Sequence, residues 1–212
     1  MTPARPRYLS VVFDSARWDG FEFRADDIVI STPPKCGTTW TQMIVALLVL
    51  QTPDIGNLAR VSPWLDMLTR EHAEVLADLE AQTHRRLIKS HTPLDGLPFD
   101  PDVTYIFVGR DPRDVFMSWD NHLANMDVVA MIAAREKAVG LDDIADKLAE
   151  GPPVFAENEV DRFWEWVDDD TPVTEGLNLH ATLHHLTTFW DARNQPNVVA
   201  LHYADLLAHL RR

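Results

Sequence analysis

With 212 residues and 46% hydrophobic content, the chain can bury one sizeable core and leaves little for a second, so residues 1–212 read as one domain. A net charge of −14 excludes a nucleic-acid partner, because such binding draws most of its affinity from Lys and Arg on phosphates. The longest apolar run, Met43 to Leu50, is under half of the roughly 20 residues that cross a bilayer, no apolar signal core follows the N-terminus, and the single cysteine, Cys36, excludes an internal disulfide; a cytoplasmic protein without a membrane span is the simple reading.

Ile28-Val29-Ile30 is a β-branched run ending in Ser31-Thr32-Pro33-Pro34, and from Thr38 a mostly apolar stretch without Gly or Pro reaches Gln51, which predicts strand, loop and buried helix. Thr52 to Asn57 is rich in turn residues. Ser62-Pro63, serine as N-cap and proline at the first helical position, predicts a helix to about Gln82. Leu87-Ile88 is a short strand, and Val103 to Val108 is continuously apolar, as in strands buried on both faces. Asp111-Pro112 repeats the cap-plus-proline signature and opens a helix through Ser118 to about Asn125. Helical segments broken at Gly140 and at Gly151-Pro152-Pro153 fill Asp127 to Trp166. A helix over His180 to Arg193, a strand over Val198 to His202 and a closing helix over Tyr203 to Arg212 complete the chain. Strands alternating with helices predict an α/β fold of three layers, a central parallel sheet with helices on both faces.

The segment from Ser31 to Trp40 joins a buried strand to a helix N-terminus, where free N–H groups and the helix dipole favour an anion. Gly37 permits close backbone approach, Thr38 and Thr39 supply hydroxyls, and Lys35 adds a mobile positive charge. It is P-loop-like, yet no Walker loop: Pro33-Pro34 stands in the first glycine region and the lysine precedes Gly37. A cysteine-based phosphatase loop needs arginine six residues after its nucleophile, and Gln42 stands there, so Cys36 reads as a small loop residue.

Thr32 to Trp40 resembles the phosphosulfate-binding loop of cytosolic sulfotransferases, approximately Thr-Tyr-Pro-Lys-Ser-Gly-Thr-Thr-Trp, with Pro33 and Cys36 as the two departures. Lys89-Ser90-His91, directly after Leu87-Ile88, is similar to the family's Lys-Thr/Ser-His. The segment from Arg110 to Ser118 is similar to its Arg-Asn-Pro-Lys-Asp-Val-x-x-Ser motif, and Asn197 to Leu206 more loosely to the strand that carries a tyrosine near adenine. Three such motifs in family order, each at the C-terminal end of a strand, lie at the edge where open α/β sheets bind ligands.

The resemblance implies 3′-phosphoadenosine 5′-phosphosulfate as co-substrate and adenosine 3′,5′-bisphosphate as product. It implies donor contacts from Lys35, Cys36, Gly37, Thr38, Thr39, Trp40, Arg110, Ser118 and Tyr203, with Arg110 and Ser118 on the 3′-phosphate. Catalysis would fall to His91 as base toward the acceptor hydroxyl, Lys35 at the bridging oxygen and Lys89 at the sulfuryl oxygens. Imidazole suits the base because its ordinary pKa of about 6.5 lies near working pH. No metal is expected: the sulfuryl group carries less charge than a phosphoryl group, and no His/Cys/Asp/Glu cluster has ligand spacing. The acceptor is a small or lipid-linked hydroxyl, its pocket formed by segments such as Ser62 to Leu68, Asn121 to Met131 and Phe155 to Val167, whose aromatic, Met and aliphatic residues suit a phenol, a sterol or a lipid equally; the oligomeric state is left open. The family's later Arg-Lys-Gly segment and dimerisation motif have no counterpart here, so the C-terminal part of that fold is expected to be missing.

Two other readings stand beside this one: a P-loop small-molecule kinase, and a non-catalytic nucleotide-binding scaffold descended from a sulfotransferase. Trp164 and Trp166 read as packing or lid residues, His184 and His185 as polar residues on a helix surface, and Asp168 to Asp170 as a solvated helix end.

Overall fold

A computed structural model describes residues 4–151 and 154–209. Four parallel strands, β1 (Ile28–Ser31), β2 (Leu87–Ser90), β3 (Thr104–Gly109) and β4 (Val198–His202), lie in the order β2-β1-β3-β4. The chain leaves β1 for β2 on one side and later returns to β3 on the other. Its switch point therefore falls at the end of β1, where the phosphate-type loop begins.

Alternate strand residues feed opposite faces, as the pleat requires. Val29, Ile88, Tyr105, Phe107 and Val198 pack in one layer with Trp18, Leu79 and Phe189. Ile28, Ile30, Leu87 and Ile106 pack in the other with Val45 and Ala46. Helix α1 (Thr38–Leu50) thus covers one face, while α3 (His72–Glu80) and α8 (Leu179–Asp191) cover the other. This is the expected three-layer α/β fold.

The remaining helices are α2 (Leu58–Val61), α4 (Pro112–Ala124), α5 (Val128–Val139), α6 (Ala145–Ala149), α7 (Glu159–Asp168) and α9 (Tyr203–His209). Asp111 caps α4 by accepting from the Arg113 N–H at 2.9 Å, with Pro112 at the first position, as its sequence predicts. Asp127 caps α5, which stops at Gly140 in a left-handed conformation. Pro152, Pro153 and residues 210–212 lie outside the described residues.

The helix expected from Ser62 is corrected. Ser62 ends α2, residues 62–71 form a loop, and α3 begins only at His72. The local cap signature loses to tertiary pairing. Lys89 N donates to Pro63 O at 2.8 Å and Leu65 N to Lys89 O at 3.1 Å, so residues 63–65 extend the sheet beside β2. Gln42 Nε2 also donates to Ser62 O and Oγ, occupying the serine as an acceptor.

His185 is corrected as well: it is buried in the core at 2% exposure, not displayed on a helix surface. The hydroxyl of Ser31 donates to Thr92 O at 2.6 Å, which leaves the His185 Nε2–H to donate to Ser31 Oγ at 3.0 Å. His184 is part-buried and bonds the Tyr8 hydroxyl at 2.7 Å. Trp166 is buried against Phe116 and Phe163, whereas Trp164 is largely exposed.

Candidate functional site

The loop between β1 and α1 turns by using two left-handed residues, Lys35 at φ 67° and Gly37 at φ 94°. Gly37 is the N-cap of α1 and has no side chain to cap with, so the first N–H groups of the helix stay open toward the cleft. Thr32 and Thr38 hydroxyls bond each other at 2.6 Å across the loop and brace it. The Cys36 thiol turns the other way. It is fully buried with Val115, Phe116 and Trp166, and burial pushes it up to about 12, which removes it as a nucleophile and leaves it a packing role.

Lys89 and His91 arrive on the neighbouring strand end. His91 Nδ1 lies 2.7 Å from the carbonyl of Thr32; a carbonyl only accepts, so Nδ1 carries the proton and Nε2 keeps its lone pair. Burial, followed by the adjacent Lys89, holds the imidazole well below its ordinary range, so it is neutral at pH 7. Trp64 fixes both side chains, its ring 4.2 Å below the Lys89 ammonium and edge-on to His91 at 4.8 Å. Burial lowers Lys89 to about 8, with Asp66 opposing and Lys35 adding to the shift. Lys35 is itself lowered by burial and by Arg110.

Arg110, at the end of β3, donates from Nη1 to Lys35 O at 2.8 Å and stacks on the Tyr203 ring at 4.4 Å. Its Nε is buried with no partner, a donor in want of an acceptor. Tyr203, at the start of α9, also packs edge-on to Trp40 at 5.3 Å and against Gly37. One cavity of about 1660 Å³ takes in Lys35, Gly37, Thr38, Thr39, Trp40, Lys89, His91, Arg110, Ser118 and Tyr203. Of the sequence-predicted site residues, Cys36 alone does not line it.

The same cavity is also lined by Val12, Phe13, Met67, Trp119, Met126, Phe155 and Trp166, with Asp120, Arg162, Glu165, Asp169 and Glu175 among them. The cleft therefore brings Lys35, Lys89, Arg110 and His91 into one space with a largely apolar wall. No group of three or more His, Cys, Asp or Glu side chains is placed to hold a metal ion among the described residues, and no helix there is long and apolar enough to cross a membrane.

A family profile described as "Sulfotransferase domain" matches residues 25–212. The chain belongs to the sulfotransferase domain family. Among curated members, it is 44% identical over 214 residues to a glycolipid sulfotransferase of Mycobacterium tuberculosis (strain ATCC 25177 / H37Ra), covering 96% of this chain and 65% of that one. An amine sulfotransferase of Oryctolagus cuniculus is 28% identical over 200 residues, covering 91% and 55%. The chain thus spans about two thirds or less of the length of these relatives. Retinol dehydratase, solved in complex with androsterone and inactive cofactor PAP, matches with a TM-score of 0.62 at 20% identity, over 92% of this chain and 59% of that one. A mouse sulfotransferase complexed with PAP matches at 0.61 and 16%, over 92% and 57%. At such identities the likeness shows the shared fold.

Ser62 to Leu68 is expected to form the pocket, and Trp64 does line it, but the helix expected there hides the individual roles of Trp64 and Asp66, and Thr32 acts through a backbone carbonyl, which no side-chain pattern reveals. A signal existed for the first two: Ser-Pro-Trp-Leu-Asp interrupts helical periodicity with proline and places an acid among apolar residues.

Proposed function

We propose that this chain, read throughout as part of one sulfotransferase domain, transfers a sulfuryl group from 3′-phosphoadenosine 5′-phosphosulfate to a hydroxyl of a lipid-like acceptor. The observation that carries the reading is the set of groups sharing one cleft: Arg110 with its unpartnered Nε, the open N-terminus of α1, Lys35 and Lys89, the unprotonated Nε2 of His91, and a largely apolar wall. Arg110 and Ser118 suit the 3′-phosphate, and the residues from Lys35 to Trp40 suit the 5′ side.

The donor supplies an activated sulfuryl group on an anionic leaving group. His91 Nε2 takes the proton of the acceptor hydroxyl, and the Thr32 carbonyl steadies the imidazolium through Nδ1. Lys89 faces charge on the transferred group and Lys35 charge on the bridging oxygen. An anion beside both lysines also offsets the part of the His91 shift that Lys89 and Lys35 add to burial.

A lipid-linked acceptor fits the largely apolar wall and accords with the mycobacterial relatives named for glycolipids. A cytoplasmic setting fits a reduced, buried Cys36. The kinase reading lacks the Gly-Lys-Ser/Thr order. The test is transfer of labelled sulfuryl from the phosphosulfate donor to a panel of phenols, sterols and glycolipids, beside thermal shifts with adenosine 3′,5′-bisphosphate and Mg-ATP. Labelled lipid product and stabilisation by the bisphosphate alone are expected. Stabilisation by Mg-ATP alone would favour the kinase, and bisphosphate binding without transfer to any acceptor would favour the scaffold.

A further inference from the structure

Asp66 is fully buried beneath the corner that carries Lys89 and His91. The pairing of residues 63–65 with β2 delivers it there. One carboxylate oxygen, Oδ2, accepts three hydrogen bonds: from Ser90 Oγ at 2.6 Å, Thr92 Oγ1 at 2.6 Å and Trp18 Nε1 at 3.0 Å. The other, Oδ1, has no partner. Ser90 Oγ already accepts from the Thr92 N–H at 2.9 Å, so its own proton points at Asp66, and an indole N–H can only donate. Three donors converging on one oxygen favour the ionised carboxylate and oppose the burial that pushes the Asp66 carboxyl above its ordinary range.

A buried charge is costly, and the same donors could be met by a neutral amide oxygen. Tethering alone therefore does not account for an acid here. The charged and titratable groups facing Lys89 are Asp66 from the 62–71 loop, Lys35 from the loop before α1, His91 from its own corner and His122 from α4. Among the described residues, Asp66 is the only negative one of these. Arg17, the other cation within its reach, is already tied to the carbonyls of Met67 and Arg70.

We propose that Asp66 is a positioning residue of the cleft: it clamps the Lys89 to Thr92 corner through Ser90 and Thr92, and, two residues from the Trp64–Lys89 pairing, its charge bears on the Lys89 ammonium through the corner without an ion pair. The electrostatic direction agrees, since Asp66 opposes the burial that brings Lys89 down to about 8. The clamp stands on geometry alone. Its consequence for turnover rests on the sulfuryl-transfer reading above.

The chain has four lysines, Lys35, Lys89, Lys137 and Lys147, so reductive ¹³C-dimethylation gives four lysine NMR signals beside that of the N-terminal amine, each of which can be titrated, with Lys89→Arg assigning the one that matters. In Asp66→Asn the Lys89 midpoint should fall by at least about one pH unit, the alkaline limb of sulfuryl transfer should move down with it, and bisphosphate binding at pH 6 should persist. Ser90→Ala, which loosens the clamp but keeps the charge, should slow transfer without moving either midpoint. Asp66→Ser removes the same charge without placing an amide N–H at the unpartnered Oδ1 position, and it carries the test if the asparagine variant does not fold. An unchanged Lys89 midpoint in the charge-removing variant, or equal shifts in it and in Ser90→Ala, would overturn the proposal. Absence of transfer by the wild type would instead count against the assigned reaction, with the NMR titration still deciding Asp66.

Discussion

Gly37→Ala isolates the contact that joins the two halves of the nucleotide end. The residue sits at φ 94°, where an L side chain costs about 1–2 kcal/mol. A Cβ there would also lie 2.9 Å from Tyr203 Cδ2 and 3.1 Å from Cε2, inside the carbon contact optimum of about 3.5–4.0 Å. The ring has little room to yield, being stacked under Arg110 at 4.4 Å and against Trp40 at 5.3 Å. Gly56, at φ 64° with nothing near its missing Cβ, supplies the control for backbone strain alone. Gly56→Ala should lose about 1–2 kcal/mol, roughly 2–8 °C by thermal denaturation, with bisphosphate affinity intact. Gly37→Ala should lose more stability and, by calorimetry, at least about tenfold in bisphosphate affinity, roughly 1.4 kcal/mol. In a Tyr203→Ala background the stability cost of Gly37→Ala should shrink to the Gly56 value. Equal costs at Gly37 and Gly56, with bisphosphate binding unchanged, would refute the claim that Gly37 exists to admit Tyr203.

Arg110→Ala should weaken adenosine 3′,5′-bisphosphate by about 1.5–3 kcal/mol while leaving adenosine 5′-monophosphate little affected, and equal losses for both in calorimetry would move the 3′-phosphate elsewhere. Burial lowers His185 from its ordinary 6.5 to about 3, so the unfolded chain takes up a proton that the folded one refuses. Its contribution is complete above pH 6.5 and is lost as pH falls toward about 3; urea melts of His185→Gln should show a shallower acid loss, and an identical slope would contradict the assignment. Cys36, buried with a raised pKa, should react with a thiol reagent only at the rate of global unfolding, and rapid labelling of the folded protein would disprove its packing role.

What could be read from sequence was what local chemistry decides. The β-branched run before Pro33 made a strand, the Gly37-Thr38-Thr39 step opened a helix, and Asp111-Pro112 capped another, each using neighbours within a few residues. The site motifs were legible for the same reason: a parallel sheet delivers every strand end to one edge, so order along the chain translates into proximity. The failures are all long-range. Ser62-Pro63 has a helix signature, but strand pairing with Lys89 outweighs it. His185 faces the core, where it meets the hydroxyl of Ser31, distant in sequence, and stacks on Phe189. Asp66 resembles an ordinary helical acid until Ser90 and Thr92 close over it.

The central claim, that this cleft performs transfer and does not merely hold a nucleotide, turns on His91. His91 lines the cleft together with Lys35 and Lys89, Thr32 holds its Nδ1 and leaves Nε2 unprotonated, and a general base contributes roughly 10²–10⁴-fold to rate. The decisive measurement is the pair of constants for His91→Ala: bisphosphate dissociation by calorimetry and sulfuryl transfer with the labelled donor. Dissociation within a factor of about two of wild type, with transfer down by roughly 10²-fold or more, is the expected result. Transfer at the wild-type rate in that variant would contradict the account.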